Sequence, residues 1–148
     1  VKVDQDNHII YIMGEHAKHG RVNSDIAKMI KQMGYSKEII TADAAEPKSI
    51  VEIKRDGIYR IRPAKKGRDS IVQGIAFMQQ YHLVVDDRCV KTIEELENYT
   101  YKKDKQSGEY TNEPVDAYNH EIDAIRYALN EINGMGTPKA TILKNIYI

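Results

Sequence analysis

Apolar residues recur along the chain with two periods, one typical of strands and one typical of helices. Alternating or β-branched runs predict strands at residues 1–3, 8–14, 38–42, 58–62 and 82–86. Apolar stripes at three- and four-residue spacing predict helices at residues 23–34, 46–57, 69–81, 93–99 and 116–133. The order is a β-hairpin followed by alternating helices and strands, which predicts an α/β layer architecture with a mixed sheet.

Capping and helix-breaking residues set the expected ends of the helices. Asn23 or Ser24 is expected to cap the first helix. Pro47 suits the first turn of the second helix, and Thr92 is expected to cap the fourth. The polar residues 99–113 have two interpretations, because they are compatible with either a pair of strands or a long loop.

The predicted elements belong to a single domain over residues 1–133, and residues 134–148 form a tail that either pairs as a strand or is partly disordered. The chain of 148 residues is long enough to bury a core. Because the hairpin opens at Val1 with the end of a strand, the sequence is expected to be a fragment of something longer. The single cysteine, Cys89, excludes an internal disulfide and is expected to be a small core residue rather than a reactive thiol.

Charge and hydropathy bear on whether the chain binds nucleic acid or spans a membrane. Lys plus Arg and Asp plus Glu both number 22, so the net charge does not indicate a nucleic-acid partner. No apolar run approaches the ~18 residues that span a bilayer. Cations nevertheless gather between residues 54 and 68, against the single acid Asp56: Lys54, Arg55, Arg60, Arg62, Lys65, Lys66 and Arg68. This stretch either contacts phosphates or is a solvated strand edge and loop.

The last predicted helix carries three polar residues along one side. Asp116, His120 and Asp123 follow one another at helical spacing, opposite an apolar stripe formed by Tyr118, Ile122, Ile125, Leu129 and Ile132. A solvated face explains this pattern, because acidic residues in a first helical turn also stabilise the helix dipole. A metal site explains it as well, since carboxylates and imidazoles are metal ligands.

Asp43 adds a second element to the metal hypothesis. It directly follows the predicted buried strand at residues 38–42, and α/β sheets gather ligand sites at the carboxyl ends of their strands. The alternative role for an Asp at this position is a turn or a helix cap. Carboxylates from a strand end and from a helix can together hold hard cations such as Mg²⁺, which activate water and stabilise a leaving phosphate oxygen.

Three stretches, taken in order, resemble one protein family. They are "ITADAAEPKSI", "KKGRDSIVQGIAFMQQYHLVVDDRC" and "ENYTYKKDKQSGEYTNEPVDAYNHEIDAIRYAL". The strand-end Asp, the KKG that precedes a Ser, and the pattern D-x-x-N-H-x-x-D-A-x-R-Y resemble the nuclease domain of tailed-phage terminase large subunits, the DNA-packaging motor proteins. The resemblance runs to about residue 130. It implies a ribonuclease H-like fold, in which helices flank a central mixed sheet.

The resemblance also implies a metal-dependent DNA endonuclease that cuts concatemeric double-stranded DNA during genome packaging. In the family, three acidic residues gather two Mg²⁺ or Mn²⁺ ions, and a histidine neighbours the last acid. On this chain Asp43 matches the second acid, Asp123 the last acid and His120 the histidine. The first acid, which the family carries on a central strand that precedes the hairpin, has no match, so the resemblance implies that this N-terminal strand and its acid lie upstream of Val1. The expected DNA contacts are Lys65, Lys66 and Arg68.

Partners and location follow from the same resemblance. It implies double-stranded DNA, an ATPase domain of the same polypeptide, the small terminase subunit and the portal protein as partners, and the host cytoplasm as the location. This sequence itself carries no G-x-x-x-x-G-K-[ST] phosphate loop. Asp116 is expected to be a helix cap or to support the metal ligands. Two alternatives remain open: a DNA-binding or assembly module with an incomplete metal site, and another ribonuclease H-like nuclease or resolvase.

Overall fold

The computed structural model describes residues 1–17 and 20–133, and within them it has seven strands and six helices. The strands are β1 (Lys2–Asp4), β2 (Ile9–Ile12), β3 (Ile40–Ala42), β4 (Ile61–Pro63), β5 (His82–Val85), β6 (Tyr101–Lys103) and β7 (Tyr110–Pro114). The helices are α1 (Asn23–Gln32), α2 (Pro47–Arg55), α3 (Ser70–Met78), α4 (Val90–Asn98), α5 (His120–Ala128) and α6 (Asn130–Asn133). The predicted tail at residues 134–148 lies outside the described residues.

The strands form three sheets in the described part of the chain. β1 pairs antiparallel with β2, and β2 pairs parallel with β5, so this sheet is mixed as predicted. β3 and β4 form a parallel pair. β6 and β7 form an antiparallel hairpin, which decides between the two interpretations of residues 99–113 in favour of strands. Within the described residues, no helix is both long and apolar enough to cross a membrane.

Two hydrophobic clusters hold the layers together. The first lies between the mixed sheet and the helices α3, α5 and α6, and it contains Ile10, Ile12, Met78, Cys89, Ile125, Leu129 and Ile132. The second packs α1 and α2 on the β3–β4 pair, and it contains Ala27, Ile30, Ile40, Ile53, Ile58 and Ile61. The prediction that Cys89 is a core residue is confirmed, since its side chain is fully buried.

The predicted helix caps are wrong for α1 and α4. The residue before α1 is Val22, which makes no side-chain capping bond, and the amide of Asn23 instead donates to Glu52 at 2.6 Å. Thr92 lies inside α4, where its backbone N–H and its hydroxyl both donate to the carboxylate of Glu15, each at 2.8 Å. A carboxylate distant in sequence therefore caps α4, and no local pattern identifies such a cap.

The last helix begins four residues later than predicted. α5 starts at His120, so Asp116 precedes the helix and accepts a hydrogen bond from the side chain of Asn119 at 3.2 Å. Tyr118 has a positive φ of 54° and is 48% exposed, so it does not belong to the buried stripe. The other predicted stripe residues, Ile122, Ile125, Leu129 and Ile132, are buried. The helix ends at Ala128, and α6 follows as a separate short turn.

Candidate active site

Asp43 directly follows β3 and carries a close ion pair. Its Oδ1 atom accepts a hydrogen bond from the backbone N–H of Ala45 at 2.8 Å and lies 2.6 Å from the Nζ atom of Lys66. The bond from Lys66 holds the pKa of Asp43 below its usual value, and the bond from Ala45 acts in the same direction. The same ion pair raises the pKa of Lys66. The carboxylate is therefore ionised and partly neutralised at physiological pH.

The pairing of β3 with β4 explains why Lys66 reaches Asp43. The two strands are parallel, with Ala42 opposite Pro63, so both chains leave the sheet at the same edge. The backbone N–H of Ala64 continues the ladder by donating to the carbonyl of Ala42 at 2.7 Å. The loop that follows β4 thus begins beside the residue that follows β3. A strand end and a basic loop, 23 positions apart in sequence (66 minus 43), become neighbours in this way.

Asp123 lies on α5 and is also paired with a cation. Its Oδ1 atom accepts hydrogen bonds from the Nη2 and Nε atoms of Arg126, at 2.7 and 3.2 Å. The side chain of Arg126 is only 3% exposed, and its Nη1 atom donates to the backbone carbonyl of Ser70 at 3.2 Å. Gly74 of α3 leaves the space that Arg126 fills. Arg126 therefore ties α5 to α3 and orients the carboxylate of Asp123.

One tyrosine ring connects the two ion pairs. The Nζ atom of Lys66 and the Cζ atom of Arg126 each lie 5.3 Å from the centroid of the Tyr127 ring, a distance typical of cation–π contacts. α5 also packs against β3, the strand that leads to Asp43. The two predicted acidic ligands, Asp43 and Asp123, therefore lie in the same region, each one cation away from Tyr127.

His120 is the first residue of α5, and its side chain is exposed. Its backbone N–H donates to the Oε1 atom of Glu95 at 3.1 Å. The Oε2 atom of Glu95 accepts the N–H groups of Glu121 at 2.7 Å and Ile122 at 3.1 Å. Glu95 is a residue of α4 that is only 8% exposed, and it satisfies three of the free N–H groups at the start of α5. It thereby sets where the helix that carries the candidate ligands begins.

Sequence reasoning missed both Glu95 and Arg126. Glu95 sits in a helix with many acidic residues, and nothing local distinguishes a buried carboxylate there from an exposed one. Arg126 belongs to the pattern D-x-x-N-H-x-x-D-A-x-R-Y, and its position three residues after Asp123 is a signal that a helical ion pair forms. Its burial, however, depends on Gly74 of another helix.

An open cleft of about 470 Å³ lies beside Asp123. Its lining combines the start of α3, the β6–β7 hairpin and the segment before α5, and it includes Ser70, Lys102, Glu113, Asp116, Asn119 and Asp123. Asp43 and His120 do not line it. Asp116, predicted to cap the helix or to support the ligands, thus faces the same cleft as Asp123.

The basic stretch divides into partnered and exposed residues. Arg60 donates to the carbonyl of Lys37 at 2.9 Å, and Arg62 lies 3.4 Å from Glu131. Lys65 also lies 3.4 Å from Glu131, although its side chain is 78% exposed. Arg68 is exposed and makes no ion pair within the described ranges. Lys54 and Arg55 of α2 are exposed as well, and the exposed cations on the side of Asp43 are those of the loop after β4: Lys65, Lys66 and Arg68.

The donor atoms near Tyr127 suit a hard divalent cation. In the described part of the chain, the Oδ2 atoms of Asp43 and Asp123 accept no hydrogen bond, so each acid keeps a free oxygen. Oxygen donors of this kind are the ligands that Mg²⁺ prefers. The same residues contain no group of three or more His, Cys, Asp or Glu side chains placed to hold a metal ion. The chemistry of the donors fits a metal, whereas their number in the described residues is small.

Comparison with known protein families assigns almost the whole chain to one family. Residues 1–131 match the sequence profile of the terminase RNase H-like domain. The terminase large subunit of Bacillus phage SPP1 is 35% identical over 128 residues, which make up 84% of this chain and 30% of that protein. The PBSX phage terminase large subunit of Bacillus subtilis (strain 168) is 32% identical over 134 residues, or 87% of this chain and 30% of that protein. The chain thus spans about a third of the length of these relatives.

A solved structure shows the same fold. It is the crystal structure of the large terminase nuclease domain from the bacteriophage SPP1 with bound Mn. It superimposes with a TM-score of 0.81 and 34% sequence identity, and the alignment covers 87% of this chain and 74% of that one. The predicted ribonuclease H-like α/β fold is therefore confirmed.

Proposed function

The chain belongs to the family of terminase RNase H-like domains, and from that premise we propose that it acts as the nuclease domain of a phage terminase large subunit. In this proposal it hydrolyses phosphodiester bonds of concatemeric double-stranded DNA when a genome is packaged. The observation that carries the proposal is that Asp43 and Asp123 each pair with a cation that contacts the ring of Tyr127, with a basic loop directly beside Asp43.

We propose that Asp43 and Asp123 bind Mg²⁺ or Mn²⁺, with His120 as a further ligand or a phosphate contact. The bound Mn of the related SPP1 nuclease domain supports a divalent cation. Such a cation lowers the pKa of a bound water molecule and stabilises negative charge on phosphate oxygens. The residues of the chain contribute the oxygen ligands and their orientation. Arg126 keeps the carboxylate of Asp123 in one position, and Glu95 fixes the first turn of α5.

The loop after β4 is proposed to contact the DNA backbone. Lys65, Lys66 and Arg68 are exposed and lie on the same edge of the β3–β4 pair as Asp43. Contacts between cations and phosphates position a duplex but do not read its sequence. The loop would therefore place DNA next to the acidic residues without selecting the site of cleavage.

The proposal for the whole protein extends beyond this domain. The relatives are about three times as long as the matched region, and we propose that an ATPase domain of the same polypeptide accompanies the nuclease domain. The small terminase subunit and the portal protein are the proposed protein partners, and the host cytoplasm is the proposed place of action.

A second candidate function is a DNA-binding or assembly module with an incomplete metal site. The observation that favours it is that the described residues contain no group of three metal-binding side chains. In addition, both acids are already neutralised in part by cations of the chain. The two functions share DNA binding and differ in whether the acids bind a metal that supports cleavage.

Mn²⁺ binding and plasmid nicking separate the two candidates. The proposed nuclease should bind Mn²⁺ in calorimetric titrations, and binding should be lost in Asp43→Asn and in Asp123→Asn. Supercoiled plasmid should be nicked slowly in Mn²⁺ and more slowly in Mg²⁺, because Mg²⁺ demands near-ideal octahedral coordination. Equal Mn²⁺ binding by the wild type and both variants, with no nicking by any of them, would favour the assembly module.

A further inference from the structure

We propose that Lys66 is an internal competitor of the divalent cation at Asp43, and that binding of the cation releases the Lys66 ammonium group toward a DNA phosphate. The inference rests on the proposed metal site and adds a regulatory role for a residue of that site. It makes binding of metal and binding of DNA depend on each other through one side chain.

The position of the ammonium group is the first argument. The Nζ atom of Lys66 lies 2.6 Å from the Oδ1 atom of Asp43. A metal ion would bind this carboxylate at ~2.1 Å for Mg²⁺. The ion and the ammonium group would then be two positive charges a few ångströms apart, which repel each other even though the surrounding water weakens the repulsion. Lys66 and a metal ion therefore compete for the negative charge of Asp43.

The freedom of Lys66 to leave is the second argument. The side chains of Lys66 and Asp43 are 42% and 46% exposed, so the ammonium group can return to water at little cost. Among the described residues, the ammonium group of Lys66 has one other contact besides this ion pair, with Tyr127, whose ring centroid lies 5.3 Å from the Nζ atom. Lysine also has a long flexible stem.

Arg126 provides an internal contrast. It pairs with Asp123 at 2.7 Å, as Lys66 pairs with Asp43, and it contacts the same ring of Tyr127. Its guanidinium, however, is almost completely buried and also donates to the carbonyl of Ser70. Removing it from Asp123 would leave an uncompensated charge in the interior. Arg126 is thus a fixed partner, and Lys66 is the displaceable one.

Linkage gives the functional consequence. A metal ion that displaces Lys66 frees one more cation for the phosphate backbone, so metal binding strengthens DNA binding. The effect is reciprocal: a phosphate that draws Lys66 away leaves Asp43 open to the metal. Asp43 would therefore bind the metal most tightly when DNA is present. This coupling would limit metal loading in the absence of DNA.

Calorimetric Mn²⁺ titration of Lys66→Met tests the competition directly. Removal of the ammonium group should tighten Mn²⁺ binding by about two- to fivefold, the range that corresponds to the weak ion pairs of exposed side chains. Lys105→Met is the control, because Lys105 is an exposed lysine between β6 and β7, outside the proposed binding loop. Its Mn²⁺ affinity should equal that of the wild type. Circular dichroism would verify that both variants are folded.

A second titration tests the coupling. A short DNA duplex should increase the Mn²⁺ affinity of the wild type, and the increase should be smaller in Lys66→Met. Mn²⁺ affinity that is unchanged or weaker in Lys66→Met, while Asp43→Asn abolishes binding, would overturn the competition and leave the proposed nuclease site intact. Mn²⁺ binding that Asp43→Asn does not affect would instead remove Asp43 from the metal site and overturn both.

Discussion

Gly74 provides the space for the side chain of Arg126. A Cβ atom built on Gly74 would lie 2.8 Å from the Cδ atom and 3.2 Å from the Cγ atom of Arg126. Because Arg126 is buried and bonded to both Asp123 and Ser70, its stem cannot move aside without breaking one of these hydrogen bonds. This relationship between α3 and α5 leads to the first prediction.

Gly74→Ala should destabilise the protein. Overpacking of this kind costs about 1–3 kcal/mol, whereas the change from glycine to alanine inside a helix returns about 1 kcal/mol. We expect a net loss of up to about 2 kcal/mol, measured by urea unfolding. Gly14→Ala is the control, because its Cβ would meet no atom within 4 Å. A Gly74→Ala variant more stable than the wild type would show that Arg126 repacks freely.

Asp43→Ala and Asp123→Ala should both abolish metal-dependent nicking, but they should differ in stability. The Asp43 ion pair is exposed, so its loss should cost about 0–1 kcal/mol. Loss of Asp123 leaves buried Arg126 without its carboxylate, and we expect a cost of about 2–3 kcal/mol, between the values for exposed and buried pairs. Thermal unfolding beside the nicking assay measures both effects. Equal stability of the two variants would contradict the structural role of Arg126.

Glu95→Ala should lower stability by about 2 kcal/mol or more, because three backbone N–H groups at the start of α5 lose their acceptor. Glu95→Gln should lie between this variant and the wild type, since the amide keeps one acceptor oxygen and turns a donor toward the other N–H groups. The control is Glu97→Gln, an exposed residue of the same helix. If all three variants unfold at the wild-type temperature, the capping role assigned to Glu95 is wrong.

Joint neutralisation of Lys65, Lys66 and Arg68 should weaken DNA binding without altering sequence preference. The salt dependence of binding should also flatten, by about one unit of slope for each phosphate that the loop no longer neutralises. Fluorescence anisotropy with two unrelated duplexes, over a range of salt concentrations, measures both quantities. Lys37→Gln and Lys105→Gln, together in one variant, are the controls outside this loop. An unchanged salt slope in the triple variant would mean that the loop is only solvated.

The stability of Glu121→Gln should depend on pH. Burial, together with the carboxylates of Glu15 and Glu95, raises the pKa of Glu121 above its ordinary value of 4.5. The folded state therefore disfavours the ionised form, and the wild type loses stability as the pH rises above about 4.5. Glu121→Gln should unfold at a higher temperature than the wild type at pH 7, and the difference should shrink toward pH 4. Exposed Glu109→Gln should show no such trend.

Local patterns predicted the elements but not all of their ends. In the segment around β4, strict alternation predicted a strand at residues 58–62, whereas the strand is Ile61–Pro63. Ile58 and Ile61 are both buried, three positions apart, because the chain turns after α2 before it enters the sheet. A period-two pattern cannot distinguish this turn from a longer strand.

In the candidate site, too, local features were predictable and contacts between distant segments were not. Asp43 and Asp123 were predicted as candidate metal ligands, Asp43 from its place at the end of a strand and Asp123 from a helical motif. Both signals are local in the sequence. Whether each residue binds a metal stays a prediction. Lys66 was not predictable as a partner of Asp43, because the contact depends on the register of β3 against β4. The spacing of Arg126 does indicate an ion pair with Asp123, but the burial of Arg126 depends on the space at Gly74. Interactions between distant segments determine the electrostatics of the site.

The carboxylate of Glu95 has a consequence for how the domain opens. The first turn of α5 is completed by an acceptor from α4, so the turn loses three hydrogen bonds when α4 separates from it. Local unfolding of α4 would therefore destabilise the segment that carries His120 and Asp123, because the backbone of that segment donates the bonds that join the two helices here. We therefore expect His120, Asp123 and α4 to open together, so that a fluctuation far from Asp123 in sequence disturbs its side of the site.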